Sequence, residues 1–177
     1  MAKVILYIAA SIDGFVARHD GGIDWLSIVE REGEDYGYAA FYDSVDALVM
    51  GRKTYVLSLG FKEWPYPGKR SFVFSRRALK TSREDVVFVS GSVADVLERI
   101  EAEGFRRIWL VGGGELTGSF LREDMIDEYV ISTIPIILGE GIPLFPAPVR
   151  EILLELIGTK QFPSGLVQVH YRRKRDA

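Results

Sequence analysis

Two short apolar runs end in glycine: Val49-Met50-Gly51-Arg52-Lys53-Thr54-Tyr55 and Trp109-Leu110-Val111-Gly112-Gly113-Gly114-Glu115-Leu116. Each reads as a strand that feeds straight into a helix. The first amides of a helix lack intrahelical partners and sit at the positive end of its dipole, so they attract anions, and glycine lets an anion approach the backbone. Such turns suit the phosphates of a dinucleotide. A third strand end, Phe72-Val73-Phe74-Ser75-Arg76-Arg77, adds a hydroxyl and two guanidinium groups. Arginine's planar fork pairs well with phosphate, so Arg52, Arg76 and Arg77 are candidates to grip an adenosine 2′-phosphate, which favours NADPH over NADH.

Other chemistries lack their residues. Thr117 stands where the third glycine of G-x-G-x-x-G belongs, and no G-x-x-x-x-G-K-[ST] segment occurs. The chain has no cysteine, which excludes disulfides, thiolate metal sites and a cysteine nucleophile. His19 and His170 are far apart, so no metal is expected. His19 reads as a turn residue and His170 as a solvent-facing residue of a strand. Ser11, Ser75 and Ser132 have no recognisable base partner.

The elements that must position these groups follow from periodicity. Val4–Ala10, Ala47–Met50, Ser71–Ser75, Val86–Val89 and Ile108–Val111 are short, β-branched apolar runs that resemble buried strands. A helix begins at Ser92, with Val93, Val96, Leu97 and Ile100 on one face, Ser92 and Asp95 at its start and Gly104 as its stop. Another is expected near Asp35, where Tyr38, Phe41, Tyr42 and Val45 share a face, and further helices after Gly51 and Gly114. After Asp127 the pattern turns extended over Tyr129–Leu138, Ile152–Ile157 and Leu166–Tyr171, with Pro163-Ser164-Gly165 as a hairpin turn. The expectation is an α/β fold: a mixed, mostly parallel central sheet, flanking helices and an antiparallel C-terminal edge hairpin.

At 177 residues and 47% hydrophobic, the chain fits one domain over 1–177; Trp64–Gly68 and Pro143–Pro148 read as loops within it. Net charge is −3, with basic residues scattered apart from Arg172–Arg175, so nucleic acid is not an expected partner. Val4–Ala10 is too short to span a membrane and lacks the flanks of an export signal, so a cytoplasmic protein is expected.

Three motifs together resemble the dihydrofolate reductase superfamily, and most of all the reductase domain of bifunctional riboflavin biosynthesis proteins. Ser11-Ile12-Asp13-Gly14-Phe15-Val16-Ala17 is similar to that domain's S-x-D-G-x-[IV]-A, Gly51-Arg52-Lys53-Thr54 to the superfamily's G-R-x-T, and Val111–Glu115 to its G-G cofactor turn. The resemblance implies NADPH bound across the C-terminal ends of the parallel strands and hydride transfer to a flat nitrogen heterocycle. Ala10, Ile12 and Val16 would line the nicotinamide. Gly51, Arg52, Lys53 and Thr54 with Val111, Gly112, Gly113, Gly114, Glu115 and Leu116 would hold the pyrophosphate, and Ser75 and Arg76 the adenosine end.

Two carboxylates, Asp13 and Glu30, are the catalytic candidates. The resemblance places Asp13 beside the nicotinamide pocket, where it would bind a substrate amide or amine; an Asx turn with Gly14 suits it equally. For proton supply, Glu30 has the offset from Trp25 of the dihydrofolate reductase acid, but the helix begins nearer Asp35, and an exposed charge or a helix cap is the favoured reading of either carboxylate. Trp25, Tyr38 and Phe41 can stack on a heterocycle or belong to the core. The expected activity is therefore an NADPH-dependent reductase of a pyrimidine- or pteridine-like substrate, of riboflavin-pathway type. Dihydrofolate reduction and a non-catalytic NADPH-binding sensor are the alternatives. The apolar late strands also suit a homodimer.

Overall fold

β1, Lys3–Ser11, is a central strand of an eight-stranded sheet, flanked on both sides by parallel neighbours. The computed structural model describes residues 2–77, 80–147 and 150–174. With β3 (Ala47–Gly51), β4 (Arg70–Phe74), β5 (Val86–Val89), β6 (Arg107–Gly112), β7 (Glu128–Ile134), β9 (Leu154–Gln161) and β10 (Val167–Arg173), the sheet runs β5-β4-β3-β6-β1-β7-β10-β9. Its first six strands are parallel, and β10 and β9 close one edge antiparallel. The five early strands and the late hairpin thus match the periodicity. β7 ends at Ile134 instead of Leu138, and β9 continues to Gln161.

The parallel strands are buried on both faces, which is why they read as unbroken apolar runs. On one face α3 (Val93–Ala102) and α4 (Gly114–Arg122) pack Val93, Val96, Ile100, Leu116, Phe120 and Leu121 against Val4, Leu6, Val49, Phe72 and Leu110. Ser92 Oγ accepts the Asp95 amide at 3.1 Å, a cap worth about 1 kcal/mol. The Glu123 carboxylate takes the Val93 and Ala94 amides at 3.2 and 3.1 Å, tying the start of α3 to the end of α4.

α1 (Tyr38–Ser44) and α2 (Arg52–Ser58) belong to the other face, where Tyr38, Phe41 and Tyr42 gather around Trp109 and Tyr55 meets Trp64 and Phe88. α1 starts three residues after Asp35, whose carboxylate accepts the Gly37 and Ala39 amides at 2.8 and 3.0 Å. Two elements carry no sequence signal: a 3-10 helix at Asp24–Val29, and a small antiparallel pair of β2 (Phe15–Ala17) with β8 (Ile142–Pro143). β8 falls at the start of the expected Pro143–Pro148 loop, of which Pro148 lies outside the described residues, as does Arg175 of the basic end.

Candidate functional site

Parallel pairing puts the C-terminal ends of β3, β4 and β6 on one edge. Met50 stands beside Gly112 and Gly51 beside Phe74. The register slips between Val49 and Met50, so Val111 bulges out and Gly112 is brought level with Met50. The two glycine turns are then in contact. A Cβ placed on Gly113 would stand 3.1 Å from Thr54 Oγ1 and 3.8 Å from Gly51 Cα, and one on Gly51 would meet Gly112 O and Leu116 Cβ at 3.8 Å. Gly113 has φ 94° and ψ 117°, a conformation open to glycine and strained for other residues.

In α4 the first interior bond runs from the Thr117 amide to Gly113 O at 2.9 Å, so the Gly114, Glu115 and Leu116 amides precede it in the first turn. Around this cradle sit Arg52, Lys53, Arg76 and Glu115, all exposed. Lys53 Nζ bonds Glu115 Oε1 at 2.9 Å and holds the Glu115 carboxyl below the usual range, with a smaller contribution from the Arg76 charge. The two helix starts thus stand side by side, bordered by guanidinium and ammonium groups. The cradle is roofed from the far end of the chain: a Cβ on Gly114 would come within 2.9 Å of Ile142 Cγ2, and one on Gly118 within 2.9 Å of Pro146 Cγ. Sequence reasoning missed these partners, although glycines opposite Ile142-Pro143 and Pro146 are a sign of close approach.

The end of β1 adjoins the cradle. Ala10 is buried in the same cluster as Leu116 and Leu144, with Val16 packed against it, while Ile12 is 61% exposed. Ser11 Oγ accepts the Phe15 amide at 2.9 Å. Asp13 Oδ1 and Oδ2 accept the Leu138 and Gly139 amides at 3.1 and 2.7 Å. Hydrogen bonding by the Ser11 hydroxyl, then by Gly139 and Leu138, holds the Asp13 carboxyl below the ordinary 3.8. Asp13 thus braces the segment after β1 against the Leu138–Gly139 segment.

The other sequence-named residues fall in different places. Ser75 Oγ is engaged locally, accepting from the Arg77 amide at 3.2 Å and donating to Arg77 O at 2.7 Å. Glu30 is exposed where the 3-10 helix ends. Trp25 is only 2% exposed, in a cluster with Val29, Ile134 and Leu166, and its indole N–H is buried without a partner. Tyr38 and Phe41 are half-buried in an aromatic group in which Phe41 stacks on Tyr7 at 4.0 Å and stands edge-on to Trp109 at 5.4 Å. Burial pushes the Tyr38 phenol up to about 12. His170, expected to face solvent, instead lies 3.2 Å from Glu128 Oε2, because the pairing of β10 with β7 sets it diagonally across from that residue. His19 is exposed, 3.6 Å from Glu140.

Among the described residues, no group of three or more His, Asp or Glu could hold a metal ion, and no helix is long and apolar enough to cross a membrane.

Comparison with known proteins agrees with this architecture. The chain is 44% identical to the Bacillus subtilis protein YwjB over 97% of its own length and 98% of that protein. It is 26% identical to the riboflavin biosynthesis protein RibD of Corynebacterium ammoniagenes, covering 85% of this chain and 48% of that one. A crystal structure of a Shewanella sp. PV-4 protein superimposes with a TM-score of 0.91 at 38% identity, covering 99% of this chain and all of that one. At 17% identity, the Thermotoga maritima diaminohydroxyphosphoribosylaminopyrimidine deaminase/5-amino-6-(5-phosphoribosylamino)uracil reductase shares the fold with a TM-score of 0.74, over 98% of this chain and 57% of that one. The model of the RibD C-terminal domain matches residues 2–168, and with the strand order and glycine cradle described above, the chain belongs to the RibD C-terminal domain family.

Proposed function

We propose that this chain is an NADPH-dependent reductase acting on a substrate with a pyrimidine- or pteridine-like ring, of the 5-amino-6-(5-phosphoribosylamino)uracil reductase type. The observation that carries the reading is the contact of the Gly51 and Gly113 turns beside the end of β1. Membership of the RibD C-terminal domain family supports an oxidoreductase of riboflavin-pathway type. Ligands of open α/β sheets sit outside the C-terminal strand ends, where this cradle lies.

In this reading Gly51–Thr54 and Gly112–Leu116 hold the pyrophosphate, Arg76 the 2′-phosphate and Ser75 the adenosine end. Ala10, Ile12 and Val16 line the nicotinamide, which supplies the hydride. The protein's share is to orient and to exclude water. Asp13 contributes by fixing the loop at Leu138–Gly139 against the loop after β1, and the Tyr7, Tyr38 and Phe41 rings supply flat apolar surface. The exposure of Glu30 and the bracing role of Asp13 favour this activity over dihydrofolate reduction, which needs a sequestered carboxyl. The exposed Leu156 and Ile157 of edge strand β9 support a homodimer across that edge.

The test is NADPH titration followed by NADPH oxidation with the phosphoribosylaminouracil and with dihydrofolate. Oxidation with the uracil is expected. Tight NADPH binding without turnover of either compound leaves the sensor reading standing, and absence of NADPH binding removes both.

A further inference from the structure

Two hydrophobic clusters meet on the α1 side of the sheet. One holds Tyr7, Tyr38, Phe41, Trp109 and Val130; the other holds Trp25, Ile134 and Leu166 with Ala9 against them. Between them Ser132 of β7 and Gln168 of β10 stand opposite each other in register. Side chains two residues apart on a strand share a face, so Ser132 lies between Val130 of one cluster and Ile134 of the other. Gln168 likewise follows Leu166. These two polar side chains are 7% and 8% exposed, and Gln168 Nε2 donates to Ser132 Oγ at 3.0 Å.

Packing alone does not call for them. Sequestering a carboxamide costs about 1–3 kcal/mol wherever its hydrogen bonds are incomplete, and an apolar pair would join the clusters without that penalty. A carboxamide has two donors and an acceptor oxygen, and the Ser132 bond uses one donor. A polar set between aromatic walls is the arrangement that reads the edge of a flat ring while the walls cover its faces.

We propose that Gln168, oriented by Ser132, is a specificity-determining residue that hydrogen-bonds the amide edge of the pyrimidine-like ring. The inference rests on the reductase reading above and deepens it. Calorimetric titration and steady-state kinetics of wild type, Gln168→Met and Ser132→Ala, with NADPH and with 5-amino-6-(5-phosphoribosylamino)uracil, test it. Gln168→Met is expected to raise KM and Kd for the uracil about tenfold or more and leave NADPH affinity within twofold, since a polar site left unpaired rejects its ligand strongly. Ser132→Ala, which frees the carboxamide to rotate, is expected to raise the uracil KM several-fold in the same selective way, and it carries the test if the methionine variant does not fold. Uracil affinity unchanged in these variants, or NADPH affinity lost in parallel, overturns the role of Gln168 and leaves the reductase reading intact. A wild-type protein that binds NADPH but not the uracil overturns both.

Discussion

Replacing Gly113 with alanine tests the cradle most directly. At φ 94° and ψ 117° an alanine is strained by about 1–3 kcal/mol, and its Cβ stands 3.1 Å from Thr54 Oγ1, tight enough to push α4 away from α2. For a chain of 177 residues each kcal/mol lowers Tm by about 2–4 °C, so the expected loss is about 2–12 °C. The new methyl also stands where backbone must meet phosphate. Losing one hydrogen bond to a charged group amounts to about 1.5–3 kcal/mol, which predicts NADPH binding weaker by about 10–150-fold. Gly104→Ala is the matched control: φ is 99°, no atom lies within 4 Å of the added Cβ, and the residue precedes the opposite end of β6. Calorimetric melting and NADPH titration of both variants decide the matter. Comparable melting losses with NADPH weakened only in Gly113→Ala are expected. NADPH affinity within twofold of wild type in Gly113→Ala, or equal weakening in Gly104→Ala, refutes the reasoning.

Three further predictions follow from particular contacts. Arg76→Ala is expected to weaken NADPH more than NADH in parallel titrations; equal weakening removes the 2′-phosphate role. Because the folded pKa of Asp13 lies below its ordinary 3.8, its brace is complete above that value and is lost only as pH falls through the folded pKa. Asp13→Asn should therefore lower kcat/KM without changing the shape of its pH profile over about pH 6 to 9, whereas disappearance of a wild-type inflection would make Asp13 the proton donor. Glu128 is 5% exposed, with Lys3 at 2.9 Å, His170 at 3.2 Å and Arg172 at 3.8 Å. Burial pushes its carboxyl up, but Lys3 and His170 outweigh this and hold it below 4.5, so its stabilisation is present above that pH and fades as pH falls through the folded value. Glu128→Gln should cost about 1–2 kcal/mol in urea unfolding at pH 7, less than a fully buried pair because the three partners are partly exposed; no change in midpoint would show the cluster to be idle.

What the chain declares by itself is local. The β-branched runs at Val4–Ala10 and Ile108–Val111 and the Ser92 cap report their own conformation, because burial on two faces and the first turn of a helix act on neighbouring residues. The motifs at Ser11–Ala17, Gly51–Thr54 and Val111–Glu115 likewise carry the family resemblance directly. Partners did not follow from the same signals. Phe41 and Trp25 both read in sequence as aromatics open to stacking or to the core, yet one is half-buried against Tyr7 and the other enclosed with an unpaired N–H. Asp13 suited a substrate amide and an Asx turn equally until the fold set Leu138 and Gly139 against it, and Gln168 had no meaning until β10 paired with β7. Insertion of β6 between β3 and β1 is what makes two separate glycine turns into one cradle. Strand order is chosen by the joint burial of residues far apart along the chain, so only the folded sheet decides which polar groups meet.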